Sequence, residues 1–222
     1  ALTARFKGVE GPGPHHLLAD CLAKTDQATA AKAEFATALE LDPAATGVRW
    51  SYARQLTEAG EPEKAVELLF EAIENGSIDC RLWSLGCNIV NGHLNDADVA
   101  LHWTDCAMNE CTNHPEISKQ RGIALLTVGQ FSEALKCFEQ APRHPLNEGA
   151  LILCQIATDT PARLGDPDKE LLISQAFVEW YRRLLERGQE APARTLAAKV
   201  DAIEAVLPTA SQILREAVSV VD

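Results

Sequence analysis

The sequence of 222 residues is poor in several features that define common functional classes. Aromatic residues make up 5% of it. No apolar run approaches the roughly 18 residues that a membrane-spanning helix needs. Lys and Arg number 20 against 32 Asp and Glu, so the net charge is -12. Nucleic acids and anionic membranes require a basic surface. We therefore expect no nucleic-acid partner and no membrane insertion.

The short motifs of common enzyme classes are also missing. The sequence contains no Gly-x-Ser-x-Gly, no phosphate-binding loop and no dinucleotide fingerprint. Asp96 and Asp98 have the spacing of a cation-binding carboxylate pair, which hard divalent ions prefer. They open a predicted helix, however, where Asp is favoured as a cap. We expect no catalytic residues and no enzymatic activity in this chain.

The seven cysteines lack the paired spacing of small secreted domains. Most lie in apolar helical stretches, which is typical of free buried thiols and predicts a cytoplasmic location. The cysteines are Cys21, Cys80, Cys87, Cys106, Cys111, Cys137 and Cys154. His102, Cys106, Cys111 and His114 have metal-capable side chains, but their spacing is not that of zinc sites. We predict a half-buried thiol and a turn histidine there, with no metal and no cofactor.

An internal repeat of about 34 residues is the most informative feature of the sequence. Two columns of small residues recur in register, with a large residue between them in most copies. The columns are Ala31, Ala65, Ala100 and Ala134; Ala38, Ala72, Ala107 and Ala141; and, between them, Phe35, Leu69, Thr104 and Phe138. Spacings of three, four and seven place these residues on one helix face. The step into the third copy is one residue longer, and Gly60 and Gly129 mark tight turns in the second and fourth copies.

This pattern resembles tetratricopeptide repeats (TPRs), most clearly in residues 51–73 and 121–141. Both segments have the small–large spacing, the turn glycine and the Ala-x-x-x-Phe/Leu-x-x-Ala signature. The resemblance covers four copies across residues 12–145. It implies an all-α fold, a right-handed α-solenoid of antiparallel helix pairs with a C-terminal helical cap.

Caps and helix breakers predict where the elements begin and end. The predicted helices cover 14–25, 28–41, 45–59, 62–75, 79–91, 95–111, 115–128 and 131–141, then a fifth first helix from 145. We predict a flexible segment over 1–13, repeats over 14–157, a loop over 158–167 and capping helices over 168–222. The capping helices are one long helix ending at Gly188 and two more, at 191–206 and 208–220. On the long helix, the stripe of Phe177, Trp180, Tyr181 and Leu184 predicts core packing.

The resemblance also indicates where a partner would bind. In TPR proteins the first helix of each pair lines a concave groove. Here those columns contain His16, Asp20, Trp50, Arg54, Ser84, Asn88, Lys119 and Ile123, with Arg81 nearby. Such a groove suits an extended peptide or its carboxylate. A solvated helix surface with Trp50 packing locally explains the same residues, and the sequence does not decide between the two. The Lys/Asn pairs of the chaperone-tail clamp are not reproduced.

The first hypothesis is therefore a non-catalytic protein-interaction module with a peptide or protein partner. A second is an accessory domain of a bacterial enzyme, because residues 177–214 resemble regions that follow TPRs in family-2 glycosyltransferases. Catalysis would then reside upstream, which agrees with a start at Ala1 that has neither an initiator Met nor an apolar signal core. A third hypothesis is a homo-oligomer that assembles through an exposed first repeat.

Overall fold

The computed structural model describes residues 11–94 and 96–218. Within these ranges every regular element is a helix and no strand occurs, as the sequence predicts. Residues 1–10 of the predicted flexible segment lie outside the described residues, and the first helix begins at Pro12.

The α-helices have bounds close to the predicted ones over most of the chain. They are α1 (Pro12–Ala23), α2 (Ala28–Leu41), α3 (Thr46–Glu58), α4 (Pro62–Glu74), α5 (Cys80–Ile89), α6 (Ala97–Glu110), α7 (Pro115–Thr127), α8 (Phe131–Gln140), α9 (Pro145–Ala157), α10 (Glu170–Glu186), α11 (Glu190–Ala197), α12 (Val200–Val206) and α13 (Pro208–Val218). Five of them begin at a proline, whose fixed φ and missing N–H suit the first helical position.

The described chain divides into two compact units. The first unit extends to Asp96 and includes Asn109–Cys111. The second unit comprises Ala97–Met108 and the chain from Thr112 onward.

In the first unit, α1 packs on α2, α3 packs on α4, and α5 packs on both α3 and α4. The predicted columns form this contact surface. Ala31 and Ala65 are completely buried, and so are Phe35 and Leu69 between the small columns. The small residues let the helix backbones approach, and the large ones fill the space between them. Gly60, in the turn from α3 to α4, has φ 78°, a left-handed conformation that glycine adopts without strain.

A buried arginine cross-links the first unit in a way that the sequence did not indicate. Arg49 on α3 is 7% exposed. Its Nε donates to the Pro43 carbonyl oxygen at 3.1 Å, and Nη1 donates to the Leu68 carbonyl oxygen at 3.0 Å. The carboxylate of Glu71 lies 3.4 Å from the same Nη1. The guanidinium thus ties α3 to the loop before it and to the backbone of α4.

The prediction of free thiols is wrong for two of the cysteines. Cys80 and Cys111 form a disulfide across a sequence separation of 31 residues. Helical geometry brings the first residue of α5 beside the residue that follows α6, which sequence spacing alone does not reveal. Cys87, Cys137 and Cys154 are buried and lie outside the disulfide, as predicted. Burial raises the pKa of the Cys137 and Cys154 thiols, which suits packing and not reactivity.

The predicted helix 79–91 ends differently from the other first helices. After Ile89 the chain continues as a π-helix over Val90–Leu94. A π-turn accommodates an additional residue within a helix. It therefore provides a structural explanation for the 35-residue step into the third copy.

In the second unit, α7 packs on α8, α8 on α9, and α9 on α10. Ala134 is completely buried and Phe138 nearly so, which confirms these repeat columns. Phe177, Trp180 and Leu184 are buried, and Tyr181 packs against the same cluster, so the predicted stripe is confirmed. A Cβ added to Gly149 on α9 would lie 2.8 Å from the Cβ of Ala176 and from the backbone nitrogen of Phe177. These two helices are therefore closely packed.

The prediction of a single helix over 191–206 is wrong. The helix is interrupted by a turn at Ala198 and Lys199, which separates α11 from α12. The Nζ of Lys199 donates to the carbonyl oxygens of Ile156 and Ala157, at 2.9 and 3.0 Å, and to Asp159 Oδ1 at 2.8 Å. The lysine thus caps the carboxyl end of α9, where a cation is favoured. Helices α10 to α13 contribute side chains to one buried cluster with α7, α8 and α9, so the capping role predicted for this region extends to four helices.

Candidate functional site

Two adjoining cavities in the first unit bring together four of the predicted groove residues. The Trp50 cavity, of about 220 Å³, is lined by Asp20, Ala23, Lys24, Phe35, Trp50, Ser51, Arg54, Gln55 and Glu58. The Asn88 cavity, of about 230 Å³, is lined by Arg54, Thr57, Glu58, Leu85, Asn88, Ile89 and His93. Arg54 and Glu58 line both cavities, so the two adjoin. We call them together the α3 groove.

Helix α3 supplies the central side chains of this groove. Trp50, Arg54 and Glu58 are spaced by four residues and therefore lie on one helix face. The guanidinium carbon of Arg54 lies 4.9 Å from the centroid of the Trp50 ring, within the range of a cation–π contact. Arg54 Nη2 also donates to Glu58 Oε1 at 3.2 Å. The three side chains thus form a row of aromatic, cationic and anionic groups along the groove.

Helix α1 provides the opposite wall of the Trp50 cavity. The Nε2 atom of His16 lies 2.9 Å from the Ser51 hydroxyl and 3.6 Å from Asp20 Oδ2. Its ring lies 6.1 Å from the ring of Phe35, measured between centroids. His16 is therefore a bridge between α1 and α3 that holds Asp20 beside the cavity.

Gln55 is a residue of the groove that sequence reasoning missed. It is 8% exposed and lines the Trp50 cavity. Its side-chain Oε1 is buried and has no hydrogen-bond partner among the described residues. An unpaired buried acceptor costs on the order of 1–3 kcal/mol, so such atoms are uncommon in native proteins. Gln55 directly follows Arg54 in the sequence, and the TPR columns alone did not select it.

His93 is the second residue that was missed. It belongs to the π-helix and lines the Asn88 cavity together with Arg54. The additional residue in the third repeat was the available signal, because π-turns frequently occur at functional sites.

His16 and Ser84 do not line either cavity, and neither do Arg81 and Lys119. Arg81 forms an ion pair with Asp79 at 2.6 Å, at the start of α5. The Asp79 carboxylate also accepts a hydrogen bond from the backbone N–H of Arg81 and so caps the helix. The hydrogen bonds from Arg81 lower the pKa of Asp79 to about 2, against an opposing contribution from burial. Lys119 lies in the second unit and forms an ion pair with Glu116, and nearby Ile123 packs against the core of that unit.

His102, Cys106, Cys111 and His114, which have metal-capable side chains, do not form a metal-binding cluster in the structure. Cys106 Sγ lies 3.9 Å from His102 Nε2, and Cys111 belongs to the disulfide. In the part of the chain that the structure describes, no group of three or more His, Cys, Asp or Glu side chains is placed to hold a metal ion. Asp96 directly precedes α6, and Asp98 lies in its first turn.

Comparison with known proteins establishes the fold. No protein-family model matches the sequence, and no curated protein matches it either. Solved structures with the same arrangement of helices include YrrB, a TPR protein with an unusual peptide-binding site. It is 20% identical, with 90% of this chain and 97% of YrrB covered at a TM-score of 0.56.

Two further structures agree with this result. TTC0263, a TPR protein of Thermus thermophilus, is 15% identical over 87% of this chain and 99% of its own, with a TM-score of 0.52. The type IV pilus biogenesis factor PilW is 15% identical over 89% and 94%, with a TM-score of 0.55. The fold is therefore the all-α helical solenoid of TPR proteins.

Three further expectations concern membrane insertion, the resemblance of residues 177–214 and self-assembly. None of the described helices is both long enough and apolar enough to cross a membrane. The resemblance of residues 177–214 to glycosyltransferase-associated regions has no support among the matched proteins and stays a prediction. Self-assembly also stays a prediction.

Proposed function

We propose that this chain is a non-catalytic interaction module that holds a segment of a protein partner in the α3 groove. The observation that carries the proposal is the convergence of Asp20, Trp50, Arg54 and Asn88 on two adjoining cavities. These residues come from three helices that are far apart in sequence. An aromatic ring, an amide and both signs of charge can bind the side chains and the main chain of an extended peptide.

The fold supports the same proposal. Repeats of paired helices expose an extended surface on which a partner segment can lie. YrrB, which shares the fold, is a TPR protein with a peptide-binding site. A peptide-binding role for the present chain is consistent with that arrangement, and the groove of the first unit is the surface that we assign to it.

The compartment in which the chain meets its partner is a separate part of the proposal. The sequence predicts a cytoplasmic location, whereas the Cys80–Cys111 disulfide favours an oxidising compartment. Acid quenching of the host cells, followed by thiol labelling of the denatured chain, decides between them. Five labelled cysteines indicate the oxidised form and the five free thiols of the structure. Labelling of all seven cysteines supports the cytoplasmic prediction.

The experiment that tests the groove is affinity capture from the native host with a matched pair of variants. The groove variant carries Trp50→Ala, Arg54→Ala and Asn88→Ala. The control variant carries Phe70→Ala, Lys64→Ala and Gln27→Ala, which remove an aromatic, a cation and an amide from exposed positions of the same unit. Each captured protein is then purified and its dissociation constant is measured against both variants.

The proposal predicts that the groove variant loses the partner while the control variant retains it. Both variants should keep the helical circular dichroism of the parent chain, because the substituted side chains contribute little to the core. Equal affinity of the parent chain and a folded groove variant for every captured protein would contradict the proposal.

A further inference from the structure

The unpaired acceptor of Gln55 indicates the chemistry of the group that fills the Trp50 cavity. Its Oε1 atom is buried and without a hydrogen-bond partner among the described residues, and the residue is 8% exposed. An oxygen of this kind requires a donor N–H or O–H to offset its loss of water. Because Gln55 lines the cavity, a hydrogen-bond donor is the kind of group that would satisfy this oxygen there.

The other acceptors of the cavity carry negative charge. The carboxylates of Asp20 and Glu58 line it and are partly accessible, with 39% and 67% of their side chains exposed. Trp50 lines the same cavity, and aromatic faces attract cations. Two carboxylates, an amide oxygen and an aromatic face together favour a cationic donor.

The cations already present do not reverse this preference. Arg54 is engaged with Glu58 and with the Trp50 ring. Lys24 is exposed at the end of α1. The net charge of the chain is -12, which attracts positive partners over a longer range.

The size of the cavity limits the occupant to a single side chain. Its volume of about 220 Å³ is below the roughly 300–1,000 Å³ of typical small-molecule sites. We therefore propose, building on the function proposed above, that the α3 groove selects a basic segment of its partner. A Lys or Arg side chain of that segment enters the Trp50 cavity between Asp20 and Glu58 and donates a hydrogen bond to Gln55.

Short peptides test this selectivity without the natural partner. Acetylated and amidated pentapeptides with a central Lys, Glu or Gln between glycines are titrated into the ¹⁵N-labelled chain. The indole N–H of Trp50 and the side-chain amide of Gln55 report on the cavity. The highest concentration is about 10 mM, above the roughly 1 mM dissociation constant of a weak site.

We expect the Lys peptide to shift both resonances and the Glu and Gln peptides to leave them in place. Gln55→Leu should raise the dissociation constant of the Lys peptide at least about tenfold, since a hydrogen bond to a charged group is lost. The matched control is Gln155→Leu, because Gln155 also has a buried unpaired Oε1 but lines neither cavity of the groove. This variant should bind like the parent chain.

Three results would overturn the inference. The first is a response to the Glu peptide as strong as that to the Lys peptide, and the second is no response to the Lys peptide at the highest concentration. The third is an unchanged affinity of a folded Gln55→Leu chain for the Lys peptide. The outcome is separable from that of the function proposed above. If the groove variant loses its captured partner but the Lys peptide shows no preference, the groove binds a partner of other chemistry. If the Lys peptide binds but capture is unaffected, the cavity does not serve the partner.

Discussion

Both units of the chain have buried apolar cores, and the first carries a disulfide in addition. In the second unit, one continuous cluster of buried apolar side chains extends from α7 to α13. In the first unit, α1 and α2 pack through Phe35 and small alanines, and the described contacts also include a disulfide and the buried Arg49. The candidate groove lies in the first unit. The comparison shows how a disulfide and a buried arginine can supplement apolar packing between helices.

The largest predicted effect concerns the apolar cluster of the second unit. Phe177 is completely buried within it. Phe177→Ala should lower the free energy of unfolding by about 3–5 kcal/mol, because apolar burial is lost and a cavity remains. Urea denaturation followed by circular dichroism measures this loss. Phe70, which is 45% exposed on α4, provides the comparison: Phe70→Ala should cost clearly less than Phe177→Ala, because much of its side chain is already in contact with water. Similar losses in the two variants would contradict the description of the core.

The second prediction concerns the disulfide of the first unit. Replacing Cys80 and Cys111 together by Ser should cost about 2–4 kcal/mol, because the bond restricts the unfolded chain over a loop of this length. The same urea experiment measures the loss, and reduction of the parent chain should reproduce it. Cys21→Ser is the control, since Cys21 is free and exposed. A double variant as stable as the oxidised parent would show that the disulfide does not stabilise the first unit.

The smallest predicted effect is a pH dependence at the start of α5. Asp79 has a pKa of about 2, below its ordinary 3.8, because Arg81 binds its charged form. A carboxyl group with a lowered pKa stabilises the folded state above the unfolded pKa. That stabilisation decreases as the pH falls from about 4 to about 2.

Asp79→Asn keeps a capping side chain but removes this titration. The variant should therefore be less stable than the parent at pH 7, and the difference should narrow between about pH 4 and pH 2. Urea unfolding at a series of pH values measures it, with Asp26→Asn at an exposed position as the control. A constant difference over that pH range would rule out the Asp79–Arg81 pair as its source.

Much of the fold could be predicted because the signal lies in local periodicity. The columns through Ala31, Ala65, Ala100 and Ala134 required only a comparison of the chain with itself, and all four residues are buried. Prolines and glycines indicated helix ends to within a few residues in most cases. The repeat thus determines which helix faces are buried.

The features that could not be predicted depend on contacts between distant residues. The disulfide requires the relative placement of Cys80 and Cys111, and the break at Lys199 depends on its bonds to the end of α9. In the groove, the TPR columns selected Trp50 and Arg54 but not Gln55, because a missing hydrogen bond is visible only in three dimensions. Arg81 was selected because it lies near the groove columns, yet its side chain forms an ion pair with Asp79.

The central claim is that the first unit carries the surface that binds the partner. Hydrogen-exchange mass spectrometry of the chain, alone and saturated with a protein obtained by the capture experiment, tests it directly. We predict slower exchange in the peptides that cover α3 and α5, with little change in those from α7 to α13. Protection confined to α7–α13, with α3 and α5 unchanged, would contradict the claim.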